Sequence, residues 1–184
     1  VSSDTKKVLS ADEAVQKRLE GLNLPFEAQY NAEVSFFIKR NTTSGCRSAE
    51  KILGRTALYF PIFEHYLNLY QLPETLKYLP MFESNLRPSA ISQVGAAGLW
   101  QFMPATAKHS DLTVYPGYDE RYDPVSATSA AIKYLNKLHK QFGKWYLAAM
   151  AYNCGEGCLE RAIKRAGTDE LSILTDGSLK YLPR

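Results

Sequence analysis

The 184-residue chain is long enough to bury one hydrophobic core, and it combines 45% hydrophobic with 22% charged residues at a formal net charge of +3. This composition excludes a disordered or fibrous protein, and no stretch reaches the roughly 18 uncharged apolar residues that a membrane helix needs. Lys and Arg are scattered along the chain, which argues against nucleic acid as a partner.

Two helices are predicted at the N-terminal end. "SADEAVQKRLEG" begins with a capping box from Ser10 to Glu13 and ends at Gly21. Asn31 is expected to cap a second helix, which stops near "NTTSG". The residues that this second helix is expected to turn inward are Val34, Phe37 and Ile38.

Prolines punctuate the next part of the chain. A third helix is predicted from about Ser48 to Tyr59, where Pro61 should kink or end it before "FPIFEHYLNLY" continues helically. Pro73 and Pro80 suit the first turn of a helix, so each is expected to begin a short one. The second of these short helices carries Glu83 near its end.

Three more helices are predicted toward the C-terminus. Asp123 and Pro124 begin "DPVSATSAAIKYLNKLHKQFG", which repeats apolar residues at helical spacing up to Gly143. "KWYLAAMAYN" is apolar almost all round and is expected to be the central buried helix, while "CLERAIKRAG" is amphipathic and ends at Gly167. With no alternating strand segments, the prediction is an all-α globule, with residues 1–24 as a helical appendage and residues 25–184 as one domain.

The three cysteines, Cys46, Cys154 and Cys158, allow at most one internal disulfide. "NCGEGC" places two of them four residues apart around a glycine bend that permits a bridge, and three free thiols are the open alternative. The histidines show no spacing typical of metal ligands, so neither a metal ion nor another cofactor is predicted.

Glu83 follows "LKYLPMF", so its neighbours in sequence are apolar and solvate a charge poorly. Desolvation raises the pKa of a carboxyl group, which lets a glutamate hold a proton near neutral pH and donate it as a general acid. A surface glutamate at a helix end is the alternative interpretation, and it applies to most glutamates.

Three motifs in order favour the first interpretation. They are "ESNLRPSAISQVGAAGLWQFMPATA" (83–107), "YDERYDPVSATSAAIKYLNKLHKQFG" (118–143) and "AAMAYNCGEG" (148–157). Together they resemble the lytic transglycosylases with a goose-type-lysozyme-like catalytic domain, and the preceding "LPETLKYLPMFES" is similar to the membrane-bound type D subfamily. The likeness covers about residues 30–184 and implies a lysozyme-like helical fold with a substrate groove.

The resemblance implies that Glu83 is the single catalytic acid and base. The substrate-binding residues that it implies are Ser84, Ser92, Gln101, Met103, Tyr152 and Asn153. Structural roles are the alternatives: Ser84 as a cap, Met103 as core, and Tyr152 as a buried phenol bonded to backbone. Gly95 and Gly98 are expected to allow a tight turn or a close approach, and Trp100 to belong to the core.

The number of carboxylates bears on the mechanism. Hydrolysing glycosidases usually use two, whereas the motif offers one. The acidic residues between the motifs, Asp111, Asp119, Glu120 and Asp123, lie in a turn-rich segment. In the peptidoglycan substrate that the resemblance implies, we therefore expect the N-acetyl group of N-acetylmuramic acid to take the role of the second carboxylate. The same sugar would then close a 1,6-anhydro ring. A goose-type-like muramidase and a non-catalytic peptidoglycan-binding domain are the alternatives.

The resemblance also implies the surroundings of the protein. Peptidoglycan glycan strands are the expected partner of a monomer in the bacterial envelope, in the periplasm. A membrane lipid anchor or a cell-wall-binding module outside this chain is a further expectation, as is anchoring to the outer membrane. The family pattern continues after a Leu-Pro pair with a tyrosine that reaches the active site, and "SLKYLPR" (178–184) is interpreted as the start of that segment.

Overall fold

The computed structural model describes residues 10–21, 30 and 32–170 of the chain. Within them the helices are α1 (Ala11–Glu20), α2 (Ala32–Thr42), α3 (Cys46–Leu69), α4 (Leu79–Ser84), α5 (Pro104–His109), α6 (Pro124–Phe142), α7 (Trp145–Cys154) and α8 (Glu156–Ala166). A hairpin joins β1 (Val114–Tyr115) to β2 (Tyr118–Asp119), and 3₁₀ turns cover Glu74–Tyr78 and Glu120–Tyr122. The predicted all-α fold class is confirmed.

The backbone divides into two compact units, residues 1–51 and 52–184. The predicted boundary after residue 24, the predicted cap Asn31 and the segment 178–184 lie outside the described residues and stay predictions. In the first unit α1 begins and ends as predicted. The Ser10 hydroxyl accepts the Glu13 N–H at 3.2 Å, the Glu13 carboxylate accepts the Ser10 N–H at 2.7 Å, and Gly21 ends the helix.

The prediction that Phe37 of α2 faces inward is wrong, because 51% of its surface is exposed. Val34 and Ile38 of the same helix are half-buried, and none of the described residues in the first unit is fully buried. Polar contacts lie on the surface of this unit: Asp12 accepts hydrogen bonds from the Tyr30 hydroxyl at 2.9 Å and the Lys39 ammonium at 3.2 Å. Such exposed contacts add little to stability.

Helix α3 passes through Pro61 and ends only at Leu69, so Pro61 does not end the helix and the helical continuation predicted beyond it is present. A proline inside a helix removes one backbone hydrogen bond. Beyond it the helix buries Phe63 and Leu67, whose side chains are 0% and 1% exposed. Burying two large apolar side chains contributes about 1.5–3 kcal/mol each, enough to offset a cost of about 3 kcal/mol.

The core of the second unit centres on α6 and α7, which pack against each other. Helix α6 buries Ala127, Thr128, Ala130, Ala131, Ile132, Leu135 and Leu138. The predicted buried helix is α7, and its buried residues are Leu147, Ala148 and Ala151. The ends of α6 are as predicted: the Asp123 carboxylate accepts the Ser126 N–H at 2.7 Å, and Gly143 terminates the helix with a φ of +75°. None of the described helices is long and apolar enough to cross a bilayer.

The hairpin was not predicted. It pairs Val114 with Asp119 and Tyr115 with Tyr118 in antiparallel register. Strands of two residues are too short to show the alternation of apolar and polar side chains by which a strand is recognised in a sequence. The Tyr115 and Tyr118 rings stack at 5.5 Å on the exposed side of the hairpin.

Candidate active site

Helix α4 places Glu83 in its last turn. Pro80 lies in the first turn, where its missing N–H is not needed, and Asn85 ends the helix in the left-handed conformation with a φ of +53°. The Asn85 N–H bonds back to the Met81 carbonyl at 3.2 Å. The short helix thus presents Glu83 at a fixed point just before the chain enters a long loop.

A cavity of about 400 Å³ opens beside Glu83. Its lining consists of Glu83, Ser92, Val94, Ala96, Gln101, Phe102, Met103, Thr106, Tyr134, Tyr152, Asn153, Cys154 and Gly155. The structure therefore brings together six of the seven residues singled out in the sequence. The seventh, Ser84, is 4% exposed and lies outside this lining.

Burial raises the pKa of the Glu83 carboxyl group above its ordinary value, and a hydrogen bond from the Asn153 side chain opposes part of the rise. A neutral carboxyl group is thereby favoured up to a higher pH than in water. Glu83 can hold a proton in the cavity, and Asn153 can stabilise the carboxylate once that proton has left.

No second carboxyl group appears among the described residues of the cavity lining. Three of the four acidic residues of the intervening segment have other partners. Asp119 pairs with Arg121, Glu120 accepts the Thr113 N–H at 2.6 Å, and Asp123 caps α6. Their side chains are engaged in the turns that carry them.

Ser84 has a structural place. Its hydroxyl lies 3.0 Å from the Pro80 carbonyl oxygen and 2.9 Å from the Leu99 carbonyl oxygen, and one hydroxyl proton can serve either acceptor. The second contact ties the end of α4 to residues 95–102, here called the cleft loop. The side chain next to Glu83 in sequence therefore fixes the helix instead of facing the cavity.

Ser92 and Gln101 line the cavity while bracing the backbone around it. The Ser92 hydroxyl accepts the Ala96 N–H at 3.0 Å. The Gln101 amide nitrogen donates to the carbonyl oxygens of Gly98 at 2.9 Å and Ala90 at 3.3 Å, and its backbone φ is +49°. Both side chains hold the loop in shape, and both keep a polar group at the cavity wall.

Tyr152 connects α7 to the cleft loop, because its hydroxyl donates to the Trp100 carbonyl oxygen at 2.8 Å. Burial, with the charge of Glu83 as the next cause, holds the pKa of Tyr152 well above its ordinary value. The phenol therefore stays a hydrogen-bond donor. Trp100 itself is fully buried and donates its indole N–H to Thr128 at 2.9 Å, so the prediction that it belongs to the core is confirmed.

Met103 directly precedes α5, is 41% exposed and lines the cavity. It immediately precedes Pro104, which opens α5, so its apolar side chain is held at the wall without being buried in the core. An exposed thioether beside a polar carboxyl group offers an apolar surface to one face of a ligand.

Two sets of residues were missed in the sequence. Tyr134 of α6 lines the cavity, its ring lies 5.7 Å from that of Tyr152, and burial followed by Glu156 raises its pKa to about 12. Helical periodicity placed Tyr134 on α6, but it could not show that Tyr134 packs against Tyr152 of α7. The other set is the pair Asp119 and Arg121, whose contacts with the cleft loop are tertiary and leave no local signal.

The three cysteines are free thiols in the structure, one of the two arrangements left open above. Cys154 lines the cavity, and burial followed by the neighbouring Cys158 raises its pKa to about 12. The Cys154 thiol is therefore protonated near neutral pH and is a poor nucleophile. In the described ranges no group of three or more histidine, cysteine or acidic side chains is arranged to hold a metal ion.

The chain was compared with known protein families and sequences. The model of the transglycosylase SLT domain matches residues 61–174. Over 120 residues the chain is 43% identical to the membrane-bound lytic murein transglycosylase D of Escherichia coli (strain K12), covering 61% of this chain and 26% of that protein.

Two further relatives match shorter parts of the chain. The soluble lytic murein transglycosylase of the same organism is 32% identical over 105 residues, covering 54% of this chain and 16% of the relative. A protein of Alteromonas sp. (strain M-1) named for resistance to tributyltin chloride is 45% identical over 93 residues, covering 50% of this chain and 45% of that protein. The chain spans less than half the length of each of these relatives. Because the family model covers more than half of the chain and includes Glu83 and the whole cavity lining, this chain belongs to the transglycosylase SLT domain family.

Proposed function

We propose that the chain is the catalytic part of a peptidoglycan lytic transglycosylase, with residues 25–184 as the catalytic domain and residues 1–24 as an appendage. It would cleave the β-1,4 bond between N-acetylmuramic acid and N-acetylglucosamine and leave a 1,6-anhydromuramoyl end. The observation that carries the proposal is Glu83. It is the one acidic side chain in the described cavity lining, and burial raises its pKa.

In the first step the protonated Glu83 carboxyl group donates its proton to the glycosidic oxygen. The bond from that oxygen to C1 of the muramic acid breaks, and the electron pair leaves with the N-acetylglucosamine unit. The positive charge that develops at C1 is stabilised by the N-acetyl group of the same sugar, as in substrate-assisted glycosidases. A second protein carboxylate is not required.

In the second step the Glu83 carboxylate removes the proton from the C6 hydroxyl group, and O6 attacks C1 to close the anhydro ring. The proton returns to Glu83, so the acid is ready for another turnover. An attacking group on the same ring has a high effective molarity, which removes the need to activate water. The hydrogen bond from Asn153 stabilises the carboxylate between the two steps.

The other cavity residues fit supporting roles. Ser92, Gln101 and Asn153 place polar groups at the wall, and Met103 with Tyr152 presents an apolar or aromatic surface to a sugar. Their roles as substrate-binding residues are part of the proposal. Ser84, which is buried against the cleft loop, would act on substrate only through the position of Glu83.

The names of the relatives support peptidoglycan as the substrate, since two of them are lytic murein transglycosylases. A glycan strand in the bacterial envelope is then the partner, and the periplasm is the proposed location. Attachment to the outer membrane and a monomeric state are further parts of the proposal that rest on the resemblance.

The test is digestion of purified sacculi by the wild-type chain and by Glu83→Gln, with mass spectrometry of the released fragments. Glu160→Gln is the matched control, because Glu160 lies on the exposed side of α8 and only accepts a hydrogen bond from Gln141. The wild type and the control should release fragments with anhydro ends. Glu83→Gln should release fewer by a factor of at least about 100, the scale of a lost general acid.

Three results would contradict the proposal. Release that survives Glu83→Gln would remove Glu83 from the chemistry. Fragments with reducing ends, one water heavier than the anhydro form, would assign a muramidase. A wild-type chain that binds sacculi without cleaving them would assign a binding domain instead.

A further inference from the structure

Arg121 and Asp119 form a buried ion pair that the proposed chemistry does not use. The Arg121 side chain is 7% exposed, and its Nε and Nη2 atoms donate to the two Asp119 carboxylate oxygens at 2.7–3.1 Å. The same Asp119 carboxylate accepts the Arg121 backbone N–H at 3.0 Å. These bonds hold the pKa of Asp119 below its ordinary value, so the carboxylate stays charged. A charged pair of this kind fixes the plane of the guanidinium group.

The remaining nitrogen of Arg121 reaches the cleft loop. Its Nη1 atom donates to the Gly95 carbonyl oxygen at 2.7 Å and to the Phe102 carbonyl oxygen at 2.9 Å. These two carbonyl groups belong to the first and last residues of the loop. One side chain therefore ties both ends of the loop to the 3₁₀ turn Glu120–Tyr122.

The cleft loop in turn holds the two segments that meet at the candidate acid. The Leu99 carbonyl oxygen accepts from Ser84, the neighbour of Glu83 on α4. The Trp100 carbonyl oxygen accepts from Tyr152 on α7, next to the Asn153 that bonds to Glu83. Both acceptors lie between the two carbonyls that Arg121 binds.

We propose that Arg121, oriented by Asp119, is a positioning residue that sets the cleft loop and thereby keeps Glu83 and Asn153 in register at the cavity wall. The inference rests on the proposed function for the meaning of Glu83 as an acid. The contacts that transmit the effect are all backbone carbonyl groups of the loop, so the geometry stands without that assignment.

An arginine suits this place better than a lysine does. The planar guanidinium group offers five donors in a fixed fork, and Arg121 uses them on a carboxylate and on two carbonyl groups in different directions. A lysine ammonium group carries its three donors on one nitrogen, so it cannot reproduce the fixed fork that spans these acceptors. Arg121→Lys therefore keeps the charge and loses the geometry.

The test separates positioning from plain structural support by following Glu83 itself. The midpoint of the Glu83 carboxyl titration is measured by ¹³C NMR, with Glu83→Gln to assign the signal. The other titratable groups of the described cavity lining are Tyr134, Tyr152 and Cys154. The pKa of each is raised above its ordinary value, so none of them titrates in the range of the Glu83 carboxyl group. Turnover of soluble, uncrosslinked glycan strands is measured on the same samples, with kcat and KM determined separately.

The variants are Arg121→Lys and Asp119→Asn. The asparagine oxygen can still accept the Arg121 backbone N–H, so the turn is kept, while the charge and the second acceptor oxygen for the guanidinium group are lost. Lys144→Gln is the control, because it removes an exposed ion pair with Asp169 that has no contact with the cleft loop. Thermal unfolding of each variant sets a working temperature well below its midpoint.

A loosened cleft loop admits water to the cavity, which lowers the pKa of Glu83 toward its ordinary value. Arg121→Lys should lower the midpoint toward the ordinary value of a glutamate. It should reduce kcat roughly ten- to hundredfold with a smaller change in KM, because misplaced groups slow the reaction more than they weaken binding. Asp119→Asn should change both in the same direction, and Lys144→Gln should change neither.

Variants that unfold at a lower temperature but keep the wild-type Glu83 midpoint and kcat would overturn the inference. If Arg121→Lys does not fold, Asp119→Asn decides by the same criterion. A wild-type chain that cleaves no glycan would refute the proposed function, while the NMR midpoints would still support or overturn the positioning role.

Discussion

Gly98 is the position at which one added methyl group tests the packing of the cleft loop most directly. Its φ is +80°, and a Cβ atom there would lie 1.7 Å from the carbonyl oxygen of Arg121. Gly95 has a similar φ of +85°, yet no described atom lies within 4 Å of an added Cβ. Gly98→Ala and Gly95→Ala therefore share the backbone strain and differ in the collision.

The structure allows the two costs to be separated. Placing an alanine in the left-handed region costs about 1–2 kcal/mol at either position. At Gly98 the colliding atom is backbone, which no rotamer change can remove, and real Cβ contacts are essentially never under 3.0 Å. The cleft loop and the 3₁₀ turn that carries Arg121 must therefore separate by more than an ångström, at a cost typical of overpacking, about 1–3 kcal/mol more.

The assay is equilibrium unfolding in urea, followed by circular dichroism and tryptophan fluorescence. Gly98→Ala should lower the free energy of unfolding by roughly 1–3 kcal/mol beyond Gly95→Ala and melt roughly 5 °C below it. The reasoning is refuted if the two variants have equal free energies of unfolding within about 0.5 kcal/mol. A Gly95→Ala variant that is the less stable of the two would also contradict the close approach.

Two predictions concern pH. The pKa of Glu83 is raised in the folded state, so the stability tied to its neutral form is complete below the unfolded value and is lost as pH rises through the folded value. Glu83→Gln does not titrate, so its melting temperature should exceed that of the wild type more at about pH 8 than at about pH 4, and an equal difference at both would contradict the raised pKa. Asn153→Leu keeps the cavity apolar and removes the hydrogen bond that lowers the Glu83 pKa, so the alkaline limb of the activity profile should move to higher pH. A limb that stays in place or moves to lower pH would show that Asn153 does not stabilise the carboxylate.

Local signals predicted the helices well. The capping box at Ser10, the Asp123 cap and the glycines Gly143 and Gly167 are all present where the sequence placed them. Each of these signals depends on residues within four positions of each other, so it survives whatever the tertiary structure does. The position of Glu83 near the end of a short helix followed in the same way from Pro80.

Features that depend on distant residues were missed or wrong. Pro61 did not end α3, because the core beyond it repaid the lost hydrogen bond. Phe37 was expected inside, yet the apolar spacing of a helix shows only a face and not whether a core exists to cover it. The contacts of Arg121 span 19 and 26 residues of sequence, which no local pattern encodes.

The candidate site shows the same difference between local signals and contacts of distant residues. The motifs identified six of the residues that meet at the cavity, but they could not show that Ser84 turns away from it. Tyr134 stands on α6 amid a regular helical pattern, and only the packing of α6 against α7 brings it to the wall beside Tyr152. The sequence therefore predicted which residues line the cavity more fully than how their side chains are arranged.

The half-buried carboxyl group of Glu83 couples ligand binding to proton exchange with the buffer. A neutral ligand that fills the cavity removes water from Glu83 and raises its pKa further, so binding takes up a proton and becomes tighter as the solution becomes more acidic. A ligand with a positive charge near Glu83 favours the carboxylate, releases a proton and binds more tightly as the solution becomes more alkaline. One carboxyl group in a confined space thus makes acidity a criterion by which neutral sugars and cationic mimics are told apart.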